Sequence, residues 1–159
     1  MFNTALKHLN LLYLALVLLA GSPGVLAQGE AESRSLFERL GGLMSISVVV
    51  NEFFDAVVSD DQIKANPAVD ASRKVVPAPY LKYQVTAMVC EVTGGPCSYH
   101  GRDMKAAHAH LNITEAEWDR MIVLFKEVLA RHEVPEAETA ELLDIMASTK
   151  ADIVMPATP

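Results

Sequence analysis

The feature that most constrains this 159-residue chain is a valine-rich stretch whose apolar residues recur with a helical period. Ile46, Val49, Val50, Phe53, Phe54, Val57 and Val58 follow the i, i+3, i+4, i+7 pattern of a single helix face. β-Branched side chains favour strands, yet a strand would throw alternate members of this set to opposite faces. Period outweighs propensity, and a long amphipathic helix is predicted.

Three further stripes have the same period. Leu81, Val85, Met88, Val89 and Val92 mark a helix from Tyr80 to Val92, which Gly94, Gly95 and Pro96 terminate. Thr114 and Glu117 form a capping-box pattern ahead of Trp118, Met121, Ile122, Phe125 and Leu129. Pro135 sits near the first turn of a last helix carrying Leu142, Leu143, Met146 and Ile153. A short helix over Ser35–Leu40 is stopped by Gly41 and Gly42. Ser59, Asp60 and Asp61 end the valine-rich helix or begin the next turn, and Asn66, Pro67, Pro77 and Pro79 predict an irregular connector. No strand pattern, internal repeat or long heptad seam competes, so the expectation is one all-α domain.

The two ends read differently. Lys7, an apolar run from Leu9 to Ala20, and a Gly21–Gly24 break before Val25, Leu26 and Ala27 form the pattern of a cleavable secretory leader. The run is shorter than the roughly 20 residues of a spanning helix, so no membrane span is expected after cleavage. The expected layout is a signal peptide over 1–27, a polar tether over 28–34, a domain over 35–154 and a tail over 155–159, in a periplasmic or secreted protein. Export would place Cys90 and Cys97 where a disulfide can persist. A bridge across their short loop is one reading; two unrelated thiols, one of them buried, is the other. The net charge of −7, with no cluster of Lys or Arg, argues against a nucleic-acid partner. The mature region carries no Ser-His-Asp grouping, phosphate-cradling glycine loop or Cys/His zinc spacing.

Chemistry concentrates in the connection between the second and third stripes, which holds Tyr99, Gly101, Arg102, Asp103, Met104, His108 and His110. One or two helical turns there would present a single imidazole inward. His108 and His110, two residues apart, point to different sides of any helix, so one of them is ordinary. By itself, a lone histidine of this kind is more often a surface or satisfied core residue than a ligand.

The run from Gly94-Gly95-Pro96 through Tyr99, Gly101-Arg102-Asp103-Met104, Ala107-His108 and Ile113-Thr114 resembles the proximal-histidine region of group 1 truncated haemoglobins. Leu36–Gly42, reading LFERLGG, resembles that family's first helix and its glycine pair, and Val50–Phe54 resembles its second helix. The resemblance covers about Ser35 to Val154. It implies a truncated globin fold, a two-over-two helical sandwich around haem b (iron protoporphyrin IX), with His108 as the metal ligand. Phe53, Phe54, Met88, Met104, Trp118 and Met121 are carried over as haem contacts, and Lys82, Tyr99, Arg102 and Lys105 as partners for the propionates. Counted without a gap from Gly94, the distal helix puts Leu81 and Val85 over the haem and Gln84 at its edge. One inserted residue after Cys90 would instead bring Tyr80 and Gln84 over the iron.

Two departures stand out against the family pattern. Phe54 occupies the place of a distal tyrosine and has no donor. Asn66 and Pro67 replace a phenylalanine wedged against the haem. The function implied is reversible binding of a diatomic ligand, O2 or NO. An NO-consuming or peroxidase-like enzyme fed by an external electron donor is the second reading, since the chain supplies no flavin or nicotinamide domain. A haem-free periplasmic interaction module is the third.

Overall fold

In the computed structural model, residues 34–155 are described; the expected leader, most of the tether and the end of the tail lie outside them. The described residues form helices α1 (Leu36–Arg39), α2 (Gly42–Ser59), α3 (Asp61–Lys64), α4 (Pro67–Val75), α5 (Ala78–Val92), α6 (Met104–His108), α7 (Glu115–Arg131) and α8 (Glu136–Ile153). No strand occurs among them, only an isolated parallel bridge between Ile113 and Val154. The all-α expectation holds.

The ends of these helices follow from local chemistry. Ser35 and Glu38 form a capping box on α1, as Thr114 and Glu117 do on α7, each pair satisfying backbone N–H groups that the first turn leaves open. Gly41 and Gly42 have φ of 85° and 77°, in the left-handed region that side chains disfavour, and the chain reverses from α1 into α2 there. Asp60 closes α2 and caps α3.

The connector expected to be irregular is instead helical. Asn66 caps α4 by accepting from the N–H groups of Ala68 and Val69, and Pro67 sits in its first turn. Pro77 and Pro79 open α5 in the same manner, so that helix starts at Ala78 rather than Tyr80. Proline breaks a helix interior because it lacks an N–H and clashes with the preceding turn. In the first turn that N–H has no intrahelical partner to lose. The prolines begin helices where the sequence predicts an irregular connector.

Helix α2 packs on α5 and on α7, and α8 packs on α6, α7 and α1. The core cluster joins Leu36, Phe125, Leu129 and Leu142, flanked by Leu40, Val49, Phe53, Leu143 and Met146. Val128 and Leu129 on α7 are almost wholly removed from water, at 0% and 1% exposure. The end of α5 is tied down by a disulfide between buried Cys90 and Cys97. Gly95 makes room for it, since a Cβ there would lie 2.7 Å from the Cys90 sulfur and 2.5 Å from the Phe37 ring.

Candidate functional site

A cavity of about 590 Å³ opens between α2, α5, α6, α7 and α8, within the range of sites that hold small molecules and cofactors. Its walls are overwhelmingly apolar. Helix α2 contributes Val49, Val50, Phe53 and Phe54, and α5 contributes Val85, Met88, Val89 and Val92. Met104 and His108 come from α6, and Met121 and Phe125 from α7. Phe53 meets Phe125 edge-on at 5.1 Å and Phe54 at 5.8 Å, which fixes the aromatic side of the space.

The imidazole of His108 is oriented by its own helix. Asp103 caps α6 by accepting from the Ala106 N–H, and His108 Nδ1 lies 2.8 Å from the Met104 carbonyl one turn back. With Nδ1–H donating to that carbonyl, the neutral ring keeps a lone pair on Nε2. Nε2 has no hydrogen-bond partner among the described residues, and burial pushes the ring below its ordinary pKa, favouring the neutral form a metal requires. A carbonyl holding the second ring nitrogen is the usual support of a metal-ligating histidine.

No group of three or more His, Cys, Asp or Glu side chains among the described residues could hold a bare ion. An iron held here by one imidazole must therefore bring its own equatorial ligands. A flat macrocycle in an apolar slot with four thioethers, Met88, Met104, Met121 and Met146, fits that donor set.

The structure divides the expected site residues. Phe53, Phe54, Val85, Met88, Met104, His108 and Met121 line the cavity together. Leu81 does not: it points outward at 37% exposure, because the inward face of α5 begins one turn later, at Val85. Gln84 and Tyr80 also lie off the cavity wall, and Tyr80 is 55% exposed. Trp118 is buried elsewhere, with Lys150 Nζ 6.0 Å above its ring. Lys82 is turned onto α2, where it pairs with Asp55 at 2.5 Å and donates to Asn51 at 2.8 Å. Tyr99 donates to the Arg102 carbonyl at 2.7 Å, and the Arg102 and Lys105 side chains are exposed beside α6. Sequence reasoning left Val89, Val92 and Phe125 out of the site although it had placed all three on apolar stripes. Their helical register with Val85 and Met121 is the signal that would have found them.

Helices packed in pairs around an apolar cavity, with the carbonyl-supported imidazole of His108 in its wall, define a haem-binding globin of the shortened kind. The bacterial-like globin pattern matches residues 35–155, and the chain belongs to that family. A group 1 truncated haemoglobin of Tetrahymena pyriformis is 25% identical over 124 residues, covering 76% of this chain and 95% of that protein. One of Mycolicibacterium paratuberculosis is 26% identical over 125 residues, covering 78% of this chain and 87% of that protein. The crystal structure of the T. pyriformis truncated haemoglobin in its Fe(III) form matches with a TM-score of 0.68 at 24% identity, over 77% of this chain and 100% of that chain. A Synechococcus 2/2 haemoglobin matches with a TM-score of 0.67 at 21% identity, over 76% of this chain and 98% of that chain. These likenesses show the two-over-two globin fold.

Proposed function

We propose that this globin holds haem b, that His108 Nε2 would ligate its iron, and that the loaded protein binds a diatomic gas reversibly. The observation that carries the reading is the contact of His108 Nδ1 with the Met104 carbonyl at 2.8 Å, in a residue that also lines the cavity. That contact fixes the ring and leaves Nε2 free. The haem would supply an iron with one open position. The chain supplies the axial nitrogen, an apolar slot that keeps bulk water away, and exposed cations at Arg102 and Lys105 for the propionates.

Redox turnover at such an iron would draw electrons from a separate donor. The leader pattern proposes export to the periplasm or beyond, and the Cys90–Cys97 bridge supports an oxidising compartment.

The test is to add haemin to the mature chain and to His108→Gly, and to record ferric, ferrous and CO spectra. The reading expects a stoichiometric histidine-ligated complex in the wild type. In His108→Gly that signature should vanish and return with added imidazole. A variant spectrum identical to wild type would overturn the assignment of His108.

A further inference from the structure

O2 held at a reduced haem gathers partial negative charge and is retained by a hydrogen-bond donor, whereas NO and CO stay nearly neutral and gain little from one. The polarity of the ligand side therefore decides what a haem site keeps. In this chain the walls from α2 and α5, Ser45 apart, are aliphatic, aromatic or thioether side chains, among them Val49, Val50, Phe54, Val85, Met88 and Val89, none of which can donate.

The hydroxyl, imidazole and guanidinium side chains at the edges of the lining, Ser45 of α2 included, hold bonds to the protein. Ser45 donates to the Gly41 carbonyl at 3.3 Å, Ser148 to the Ile145 carbonyl at 2.6 Å, and Thr149 to the Met146 carbonyl at 2.8 Å. His132 Nε2 lies 2.6 Å from the Glu52 carboxylate. Arg39 gives its terminal nitrogens to Glu138 and Glu141, and its Nε–H, which has no partner, is buried out of reach of water. A ligand would have to compete with these bonds for each donor.

We infer that the cavity is a donor-free ligand chamber, selecting nearly neutral diatomics, NO above all, and releasing O2 quickly. The inference rests on the haem reading above. It assigns Phe54 and Val85 as the specificity-determining residues. It also assigns Gln84 and Tyr80, two polar residues of α5 that lie off the cavity wall, no part in ligand retention.

The experiment uses the haem-loaded mature chain. O2 and CO dissociation rates and the infrared C–O stretch are measured for wild type, Phe54→Tyr, Val85→Gln, Gln84→Leu and Tyr80→Phe. The wild type should show fast O2 release and a single high-frequency C–O band. Phe54→Tyr or Val85→Gln should slow O2 release roughly tenfold or more, the worth of one hydrogen bond to a charged acceptor. Either should also lower the C–O frequency while changing CO release far less. Gln84→Leu and Tyr80→Phe should leave both readouts at wild-type values. Slow O2 release in the wild type that Gln84→Leu or Tyr80→Phe accelerates would overturn the inference, because a donor would then reach the ligand. Absence of any stoichiometric haem complex fells the haem reading and this inference with it, and is visible before a gas is admitted.

Discussion

Helices α2 and α7 are nearly equal in length, yet they use their apolar residues differently. Helix α7 buries Trp118, Leu124, Phe125, Val128 and Leu129 against the protein, whereas α2 buries only Ile46 and Val50. By length and composition α2 is apolar enough to cross a bilayer. Its inner face instead lines the cavity with Val49, Phe53 and Phe54, half-buried and waiting for a flat apolar partner. One helix stabilises the fold, and the other is built to meet a cofactor. A helix more hydrophobic than its protein contacts require is itself a sign of a bound group.

The strongest way to break this contrast is Leu129→Ala on α7, which should cost about 2–5 kcal/mol in urea denaturation of the haem-free chain, because the packed surroundings cannot close the space. Next is Cys97→Ser. It releases the end of α5 across a sequence separation of 7, and should cost about 2–3 kcal/mol by the same measurement through the wider freedom of the unfolded chain. Phe54→Ala on α2 should cost only about 1 kcal/mol without haem, the worth of its edge contact with Phe53. The same change should weaken haem retention roughly tenfold or more, measured by transfer to an acceptor protein. Equal effects of Leu129→Ala and Phe54→Ala on haem-free stability would erase the distinction between the two helices.

The smallest effect sharpens the contrast by pH. Asp60 at the end of α2 accepts from Arg120 of α7 at 2.8 Å, a bond that holds its carboxyl below the usual range. A depressed folded pKa means the stabilisation is fully present above the unfolded carboxylate pKa and fades as pH falls through the folded one. Asp60→Asn keeps a capping oxygen for α3 while removing the charge. Its stability deficit against wild type should be constant near neutrality and shrink on acidification. A deficit that persists unchanged in acid would show that the cap, rather than the ion pair, was lost.

The long helices were legible because Val49, Phe53, Phe125 and Leu129 repeat with the helical period whatever their partner turns out to be. The same blindness to partners explains the shortfalls. Periodicity placed Leu81 on the stripe of α5, but only packing shows that the cavity begins at Val85. It could not tell Trp118, which lies outside the cavity, from Met121, which lines it, since both are apolar residues on one stripe. Pro67 and Pro79 were misread because a proline's meaning depends on whether it stands in the first turn or the interior, a question settled by the Asn66 cap and the chain's course. His108 was found through its neighbours, the glycines and the Ala107-His108 step. The carbonyl that orients its ring lies one turn back and has no sequence signature.

Five residues make α6 too short to persist unaided, so its placement is borrowed. Upstream, the Tyr99 N–H donates to the Glu91 carboxylate of α5 at 3.2 Å. Downstream, the Asn66 amide grips the Leu111 carbonyl at 2.9 Å, and the Met155 N–H reaches the Ile113 carbonyl at 2.9 Å. The segment behaves as a plank resting on two abutments, one of them formed by residues that follow the last helix. The height at which its imidazole sits in the cavity therefore depends on bonds made at Asn66 and Met155, both outside the cavity wall.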